Sequence, residues 1–205
     1  MIAIVDYGVG NLFSLRSSLL ALGLEAEVTA EADALMAADR VILPGVGAFG
    51  DAMQKLRDAG LAGAVRAAAG QKPLLGICLG MQLLFDESLE FGRHAGLGLI
   101  PGQVCPLRDD LDAAGHSHKV PHMGWNALHL TDPDCPLLRY SAEGDAVYYV
   151  HSYYAKNCEA STVAASEYGI MVTGMVQNGR VFGTQFHPEK SGEKGLAILR
   201  AFAEI

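Results

Sequence analysis

Apolar residues along this chain fall into short runs separated by stretches of helical period. Residues 2–5, Ile-Ala-Ile-Val, form an apolar run that ends at Asp6, the pattern of a buried strand. Leu12, Leu15, Leu19 and Leu22 then recur near helical spacing, with Asn11 placed to cap a helix and Gly23 to end it. A second strand closes at Val28, a helix is predicted over 31–38, and Val41, Ile42 and Leu43 mark a third strand. Residues 48–69 are alanine-rich and read as one helix, weakened by Gly60 and Gly63. Residues 74–77 give another buried strand, followed by an apolar helical segment over 81–85. Strands apolar on both faces that alternate with helices imply a parallel sheet covered on both sides.

The pattern changes from about residue 97 to 186, where runs of Tyr, Val and Thr bounded by Gly carry few helical signals. Residues 146–154 and 181–186 are the clearest strands there, and 193–204 closes the chain as a helix. The prediction is an α/β fold over 1–205, with a mostly parallel central sheet flanked by helices and an antiparallel extension. A length of 205 residues suits a single domain.

Half the residues are hydrophobic, enough for a sizeable core. A net charge of −8 with no basic run argues against nucleic acid or an anionic membrane surface as partner. No apolar stretch reaches the ~20 residues of a bilayer span, and no basic region precedes residues 2–5, so no secretory leader is expected. Cys78, Cys105, Cys135 and Cys158 form no CxxC pair and no His cluster completes a metal pattern. A reduced, cytoplasmic protein without metal is the simplest reading.

Three segments carry candidate chemistry. Gly76-Ile77-Cys78-Leu79-Gly80 sits between a buried strand and an apolar helical segment, the context of a nucleophile elbow with Cys in place of Ser. Such a turn strains the nucleophile's backbone, and glycines two positions either side remove the collisions. The following helix would aim its N–H groups and positive end at the sulfur. A buried structural cysteine fits the same five residues. His187-Pro188-Glu189 ends the 181–186 strand; positions i and i+2 of an extended chain share a face, so Glu189 can accept the Nδ1 proton and leave the other nitrogen for Cys78. An ordinary strand exit is the alternative. Pro44-Gly45-Val46-Gly47 exposes backbone N–H groups that, with the N–H of Leu79, can stabilise a developing oxyanion, although Pro-Gly-x-Gly also makes simple turns. Gly8-Val9-Gly10 is a poor dinucleotide loop because Phe13 stands where the third glycine belongs. His116, His118 and His129 sit in polar surroundings and read as surface residues; His151 is a lesser candidate than His187.

The glycine loop, the elbow and His-Pro-Glu, in that order, resemble the class I (triad) glutamine amidotransferases, which implies a flavodoxin-like arrangement of the central sheet. Asp6-Tyr7-Gly8-Val9-Gly10-Asn11, Lys119-Val120-Pro121-His122-Met123-Gly124-Trp125-Asn126, Tyr148-Tyr149-Val150-His151-Ser152-Tyr153 and Gly183 through Ser191 resemble the branch whose glutaminases serve a (β/α)8-barrel cyclase in histidine biosynthesis. The resemblance implies Cys78 as nucleophile, His187 as base and acid, Glu189 as orienter, and Val46 and Leu79 as oxyanion donors. It further implies glutamine held by Gly45, Gly47, Gln82, Ser152 and Tyr153, with no cofactor. Tyr7, Asn11, Met123, Trp125, Tyr148 and Lys190 are expected to face the cyclase in a heterodimer. There the ammonia would enter the synthesis of imidazole glycerol phosphate and aminoimidazole carboxamide ribotide. By the same likeness the glutaminase rests until the partner docks, with the Gly45-Val46-Gly47 loop as switch. A glutaminase serving another synthase, which the Trp125 segment disfavours, and a non-catalytic binding module are the competing readings.

Overall fold

A computed structural model describes residues 1–205. The first half builds β1 (Ile2–Val5), α1 (Leu12–Ala21), β2 (Ala26–Thr29), α2 (Ala32–Ala37), β3 (Arg40–Gly45), α3 (Phe49–Asp58), α4 (Leu61–Ala69), β4 (Leu74–Cys78) and the short α5 (Leu79–Gln82). The second half adds β5 (Phe85–Ser88), β6 (His94–Ala95), β7 (Ile100–Pro106), α6 (Leu107–Ala113), β8 (His122–Ala127), β9 (His129–Leu130), β10 (Ala146–His151), β11 (Tyr153–Lys156), β12 (Thr162–Glu167), β13 (Met171–Asn178), β14 (Val181–Thr184) and α7 (Gly192–Ala203). The main sheet has the order β2-β1-β3-β4-β14-β13-β12-β9. Strands β2 through β14 of that order run parallel, and β13, β12 and β9 extend it antiparallel.

Side chains alternate across this sheet into two layers, as a pleated strand requires. Ala3, Val5, Val41, Leu43 and Leu74 pack on one side with Leu35, Phe49, Met53, Leu56 and Val65 of α2, α3 and α4. Ile2, Ile4, Ile42, Leu75 and Ile77 pack on the other with Leu15 and Leu19 of α1 and Ile198, Leu199 and Phe202 of α7. Only the edge strand β2 is half-solvated, and it alone among the parallel strands reads as alternating Ala-Glu-Val-Thr.

Several local expectations change. Gly23 ends the first helix in the left-handed region (φ 74°), but Asn11 makes no side-chain cap, its backbone lying at φ −89°, ψ 61°. The predicted helix over 48–69 is two helices, because Gly60 turns left-handed (φ 71°) between them. The helix predicted over 81–85 is instead a single turn from Leu79 to Gln82, and Phe85 opens a strand. The run 146–154 divides at Ser152. Strand β10 pairs antiparallel with β8 in a two-stranded sheet, while β11 joins a separate sheet, β11-β7-β5-β6. Helix α6 is additional; its only buried residues, Leu107 and Leu111, are too sparse a signal to stand out. The 181–186 strand stops at Thr184.

Candidate active site

Cys78 ends β4 with φ 54° and ψ −114°, a conformation that costs a non-glycine residue about 1–3 kcal/mol and persists only where its surroundings enforce it. The enforcement is steric. A Cβ on Gly76 would lie 2.7 Å from the carbonyl oxygen of Gly80 and from the backbone of Met81, and one on Gly80 would collide with the Leu43 carbonyl. Gly45 is equally constrained, its hypothetical Cβ falling 2.7 Å from the Gly80 nitrogen. The elbow therefore presses directly on the strand that carries the glycine loop. With only one helical turn behind Cys78, the helix-dipole contribution expected from the sequence shrinks, and the electrostatics falls to neighbouring side chains.

Strand β14 lies beside β4 in parallel register, Gly183 opposite Gly76 and Thr184 opposite Ile77, so the two chain ends emerge together. His187 follows β14, pinned by its N–H to the Tyr148 carbonyl (2.9 Å) and by its carbonyl, which accepts from the Ser191 hydroxyl (2.7 Å). Its Nδ1 lies 2.8 Å from Glu189 Oε1, and both side chains are almost fully buried. The pairing arises differently from the i, i+2 argument: residues Pro188–Lys190 form a 3-10 turn, which folds Glu189 back under the ring. Burial by itself would lower the imidazole pKa. Hydrogen bonds to Cys78 and Glu189, with the charges of both, outweigh it and push His187 up to about 9. Cys78, His187 and Glu189 thus meet in one place. The second carboxylate oxygen, Glu189 Oε2, is buried without a partner.

Cys78 and His187 open on a cavity of about 340 Å3, in the range that admits a small ligand. One wall is Val46 and Gly47, a second is Leu79 and Gln82, and a third is His151, Ser152 and Tyr153. The N–H groups of Val46, Gly47 and Ser152 bond to no group within the chain. Gln82 donates to the Tyr153 carbonyl (3.0 Å) and to Gln185 Oε1 (2.9 Å), so its amide is anchored to the cavity wall. Gly45 does not line the cavity; it lies behind the loop against Gly80. A second cleft of about 370 Å3, around Thr131, Lys156 and Thr173, has no histidine among its lining residues to pair with Cys158, and Lys156 is already paired with Asp110 at 2.7 Å.

Two residues absent from the sequence-derived set stand in this site. Glu90 lines the cavity; its Oε2 accepts the Phe49 N–H (2.6 Å), and burial raises its carboxyl pKa against the lowering effect of that bond. Gln185, fully buried, donates from Nε2 to the Cys78 sulfur at 3.8 Å. Gln185 sits two residues before His187 inside a motif already singled out, whereas nothing local to Glu90 marks it.

The six expected partner-facing residues divide. Met123 and Trp125 are about 60% exposed, Tyr148 meets Trp125 edge-on at 6.1 Å, and Lys190 is exposed at the cavity mouth. Asn11 is half-buried. Tyr7 is a correction: it is 4% exposed, with its hydroxyl donated to the Pro44 carbonyl at 2.7 Å. Burial, and then the neighbouring Cys78 charge, raise its pKa, so it braces the glycine loop from inside. His116, His118 and His129 are exposed as expected, while His122 and His151 are buried. No helix is long and apolar enough to cross a membrane.

The sequence pattern described as glutamine amidotransferase class-I matches residues 3–205. The chain is 51% identical to the imidazole glycerol phosphate synthase subunit HisH of Bacillus licheniformis, over 100% of this chain and 96% of that one. It is 46% identical to the protein of the same name from Wolinella succinogenes, over 100% of both. In fold it is similar to a solved structure of PurLQS from Thermotoga maritima, with a TM-score of 0.75, 20% identity, and coverage of 99% and 97% of the two chains.

Proposed function

The chain belongs to the class-I glutamine amidotransferases, and we propose that it is the glutaminase subunit of an imidazole glycerol phosphate synthase. In this reading it hydrolyses glutamine to glutamate and ammonia and passes the ammonia to a (β/α)8-barrel cyclase in histidine biosynthesis. The observation that carries the reading is the meeting of Cys78 and His187 at one 340 Å3 cavity, with Glu189 paired to the far side of the imidazole. The relatives named imidazole glycerol phosphate synthase subunit HisH supply the pathway.

Glutamine enters with its carboxamide toward Cys78. Glu90 opposes the α-ammonium, and the free N–H of Ser152 with the neighbouring Tyr153 holds the α-carboxylate. The Cys78 thiolate attacks the amide carbon, forming an S–C bond and placing negative charge on the former carbonyl oxygen. The Val46 and Leu79 N–H groups donate to that oxygen, each worth ~2.7–4 kcal/mol where such a donor is lost. Protonated His187 gives its Nε2 proton to the departing nitrogen as the C–N bond breaks, and ammonia leaves. Water then attacks the thioester while His187 takes its proton, releasing glutamate and the sulfur. Glu189 accepts the Nδ1–H throughout, fixing the tautomer and balancing the imidazolium. Nucleophile, base and donors all come from the polypeptide, so the cycle needs no cofactor.

The exposed Met123 and Trp125, with Asn11, Tyr148 and Lys190, form the face that docks the cyclase as a heterodimer. Residues 1–205 act as one domain, in the cytoplasm. The test is glutamate release measured for the chain alone and with a barrel cyclase and its nucleotide ligand. Stimulation by that partner is expected, and Cys78→Ala should abolish glutamine-dependent turnover while the complex still uses free ammonia. Glutamate release by the Cys78→Ala complex would overturn the assignment.

A further inference from the structure

One line of hydrogen bonds runs from the exposed strand β8 to the Cys78 sulfur, and its direction is fixed at every link. The Tyr153 carbonyl can only accept, so His151 Nδ1, 2.9 Å away, carries the proton. A neutral ring has one N–H, which makes His151 Nε2 the acceptor and His122 Nδ1, at 3.0 Å, the donor. His122 Nε2 is then the acceptor for Asn126 Nδ2 at 3.3 Å. The Asn126 amide is itself oriented, since Nδ2 also donates to the Glu167 carbonyl (2.7 Å) and Oδ1 accepts the Ala127 N–H (2.9 Å). At the other end the Tyr153 carbonyl also takes the Gln82 bond, and Gln82 leads through Gln185 to the sulfur.

The surroundings suit neutral rings. Both imidazoles are buried, and burial lowers their pKa values to about 4 for His122 and about 3 for His151, with each ring's histidine neighbours adding to the effect. The His122 ring is stacked between Tyr149 and Tyr168, with centroids 4.6 and 4.0 Å away, so its plane is set independently of the hydrogen bonds. His122 and His151 are directly opposed across the β8–β10 ladder, while Met123 and Trp125 alternate to the outside of the same strand.

We propose that Asn126, His122 and His151 are positioning residues for glutamine hydrolysis. They tie the partner-facing strand to the Tyr153 carbonyl and thereby fix the substrate-holding segment 152–153 and, through Gln82 and Gln185, the nucleophile. The inference rests on the glutaminase reading above. A movement of β8 on docking is delivered to the cavity through this line, because His122 belongs to the strand and His151 to the cavity wall.

The test uses the complex with the barrel cyclase. Long-range proton–nitrogen spectra of the histidine rings should show both His122 and His151 neutral with the proton on Nδ1, the less common tautomer in water. His122→Phe keeps a stacked ring but removes both hydrogen bonds. Its KM for glutamine should rise about tenfold, the effect of one lost anchoring bond, with kcat within about threefold of wild type. Turnover with free ammonia should not change, and His122→Asn, which restores a donor near the Nδ1 position, should recover most of the KM. A purely structural role would lower the active fraction without moving KM. Either ring with its proton on Nε2, or an unshifted KM in His122→Phe, overturns the inference while leaving the glutaminase reading intact. A wild-type complex that releases no glutamate overturns the reading and this inference with it.

Discussion

Two glycine-to-alanine substitutions should act with opposite signs, and the contrast tests the steric account of the elbow. In Gly76→Ala the new methyl would lie 2.7 Å from the Gly80 oxygen and from the nitrogen and Cα of Met81. Ordinary contact begins near 3.4 Å, so these atoms must retreat by roughly 0.7 Å or more, and being backbone they cannot rotate aside. Overpacking of this kind costs about 1–3 kcal/mol, or a Tm lower by roughly 2–12 °C in a chain of this size. The atoms that retreat lie between Leu79 and Gln82 in the same helical turn, so both are displaced with them, and a displacement approaching 1 Å at a reacting centre costs about a hundredfold in rate. Gly63→Ala is the control. It lies within α4, a Cβ there meets nothing within 4 Å, and the change should stabilise by about 0.5–1 kcal/mol with glutaminase kinetics unaltered. Thermal melts of the chain and kcat/KM for glutamate release in the complex read both effects. A Gly76→Ala protein with wild-type Tm and kcat/KM would mean that the elbow tolerates a side chain at position 76 and is not held by backbone contact there.

In the proposed binding mode Glu90→Gln removes the charge set against the α-ammonium, and KM for glutamine should rise by about tenfold or more with kcat less affected; titrating glutamine at saturating cyclase checks it. Folding stability should be highest close to pH 6.5 and fall on either side of it. His122 and His151 are held below their unfolded value of 6.5, so the unfolded chain binds more protons and stability falls as pH drops from 6.5 through about 4. His187 is held above it, at about 9, so its contribution is full below 6.5 and lost as pH rises through 9. Urea midpoints across pH 5–10 measure this, and a midpoint that climbs from pH 7 to 5 would contradict neutral rings in the core. Trp125→Ala should weaken cyclase binding by about 2 kcal/mol or more, seen by calorimetric titration, with ammonia-dependent turnover restored at saturating partner.

The parallel sheet was legible because its strands are apolar on both faces, a pattern that few alternatives produce; β1, β3 and β4 fall where the runs of Ile, Val and Leu place them. The elbow was legible for the same kind of reason, since two backbone-contact glycines flank one nucleophile. What stayed hidden depends on long-range contacts. Ser152 continues a strand-like run, and only the pairing of β10 with β8 and of β11 with β7 divides it and turns residues 152–153 into a cavity wall. Glu90 gains its meaning from the Phe49 N–H, 41 residues earlier in the chain. Tyr7 looks like a surface aromatic beside a glycine turn and is instead drawn inward by the Pro44 carbonyl.

The choice of base illustrates what the surroundings add to composition. His151 and His187 line the same cavity, both are nearly inaccessible, and burial lowers the pKa of each. They nevertheless separate to about 3 and about 9. Burial is the largest cause of the low value at His151, but it acts on both rings in one direction and cannot lift His187. The partners do that: His187 faces a carboxylate and a sulfur, while His151 has no anion beside it, only a carbonyl and another imidazole that offers its own N–H. An imidazole between two potential anions holds a proton it can deliver to a leaving amine, and an imidazole between a carbonyl and an N–H donor cannot change protonation without breaking a bond. The cavity therefore pairs one titrating histidine with one that does not titrate near neutral pH. On this argument Glu189→Gln, which removes one of the two charges, should lower the His187 pKa toward 6.5 and shift the acidic and basic limbs of the glutaminase pH profile. Titration of the His187 ring by NMR in that variant decides the matter: a pKa still near 9 would mean that the sulfur alone sustains the charged ring, and Glu189 would be left with orientation as its only role.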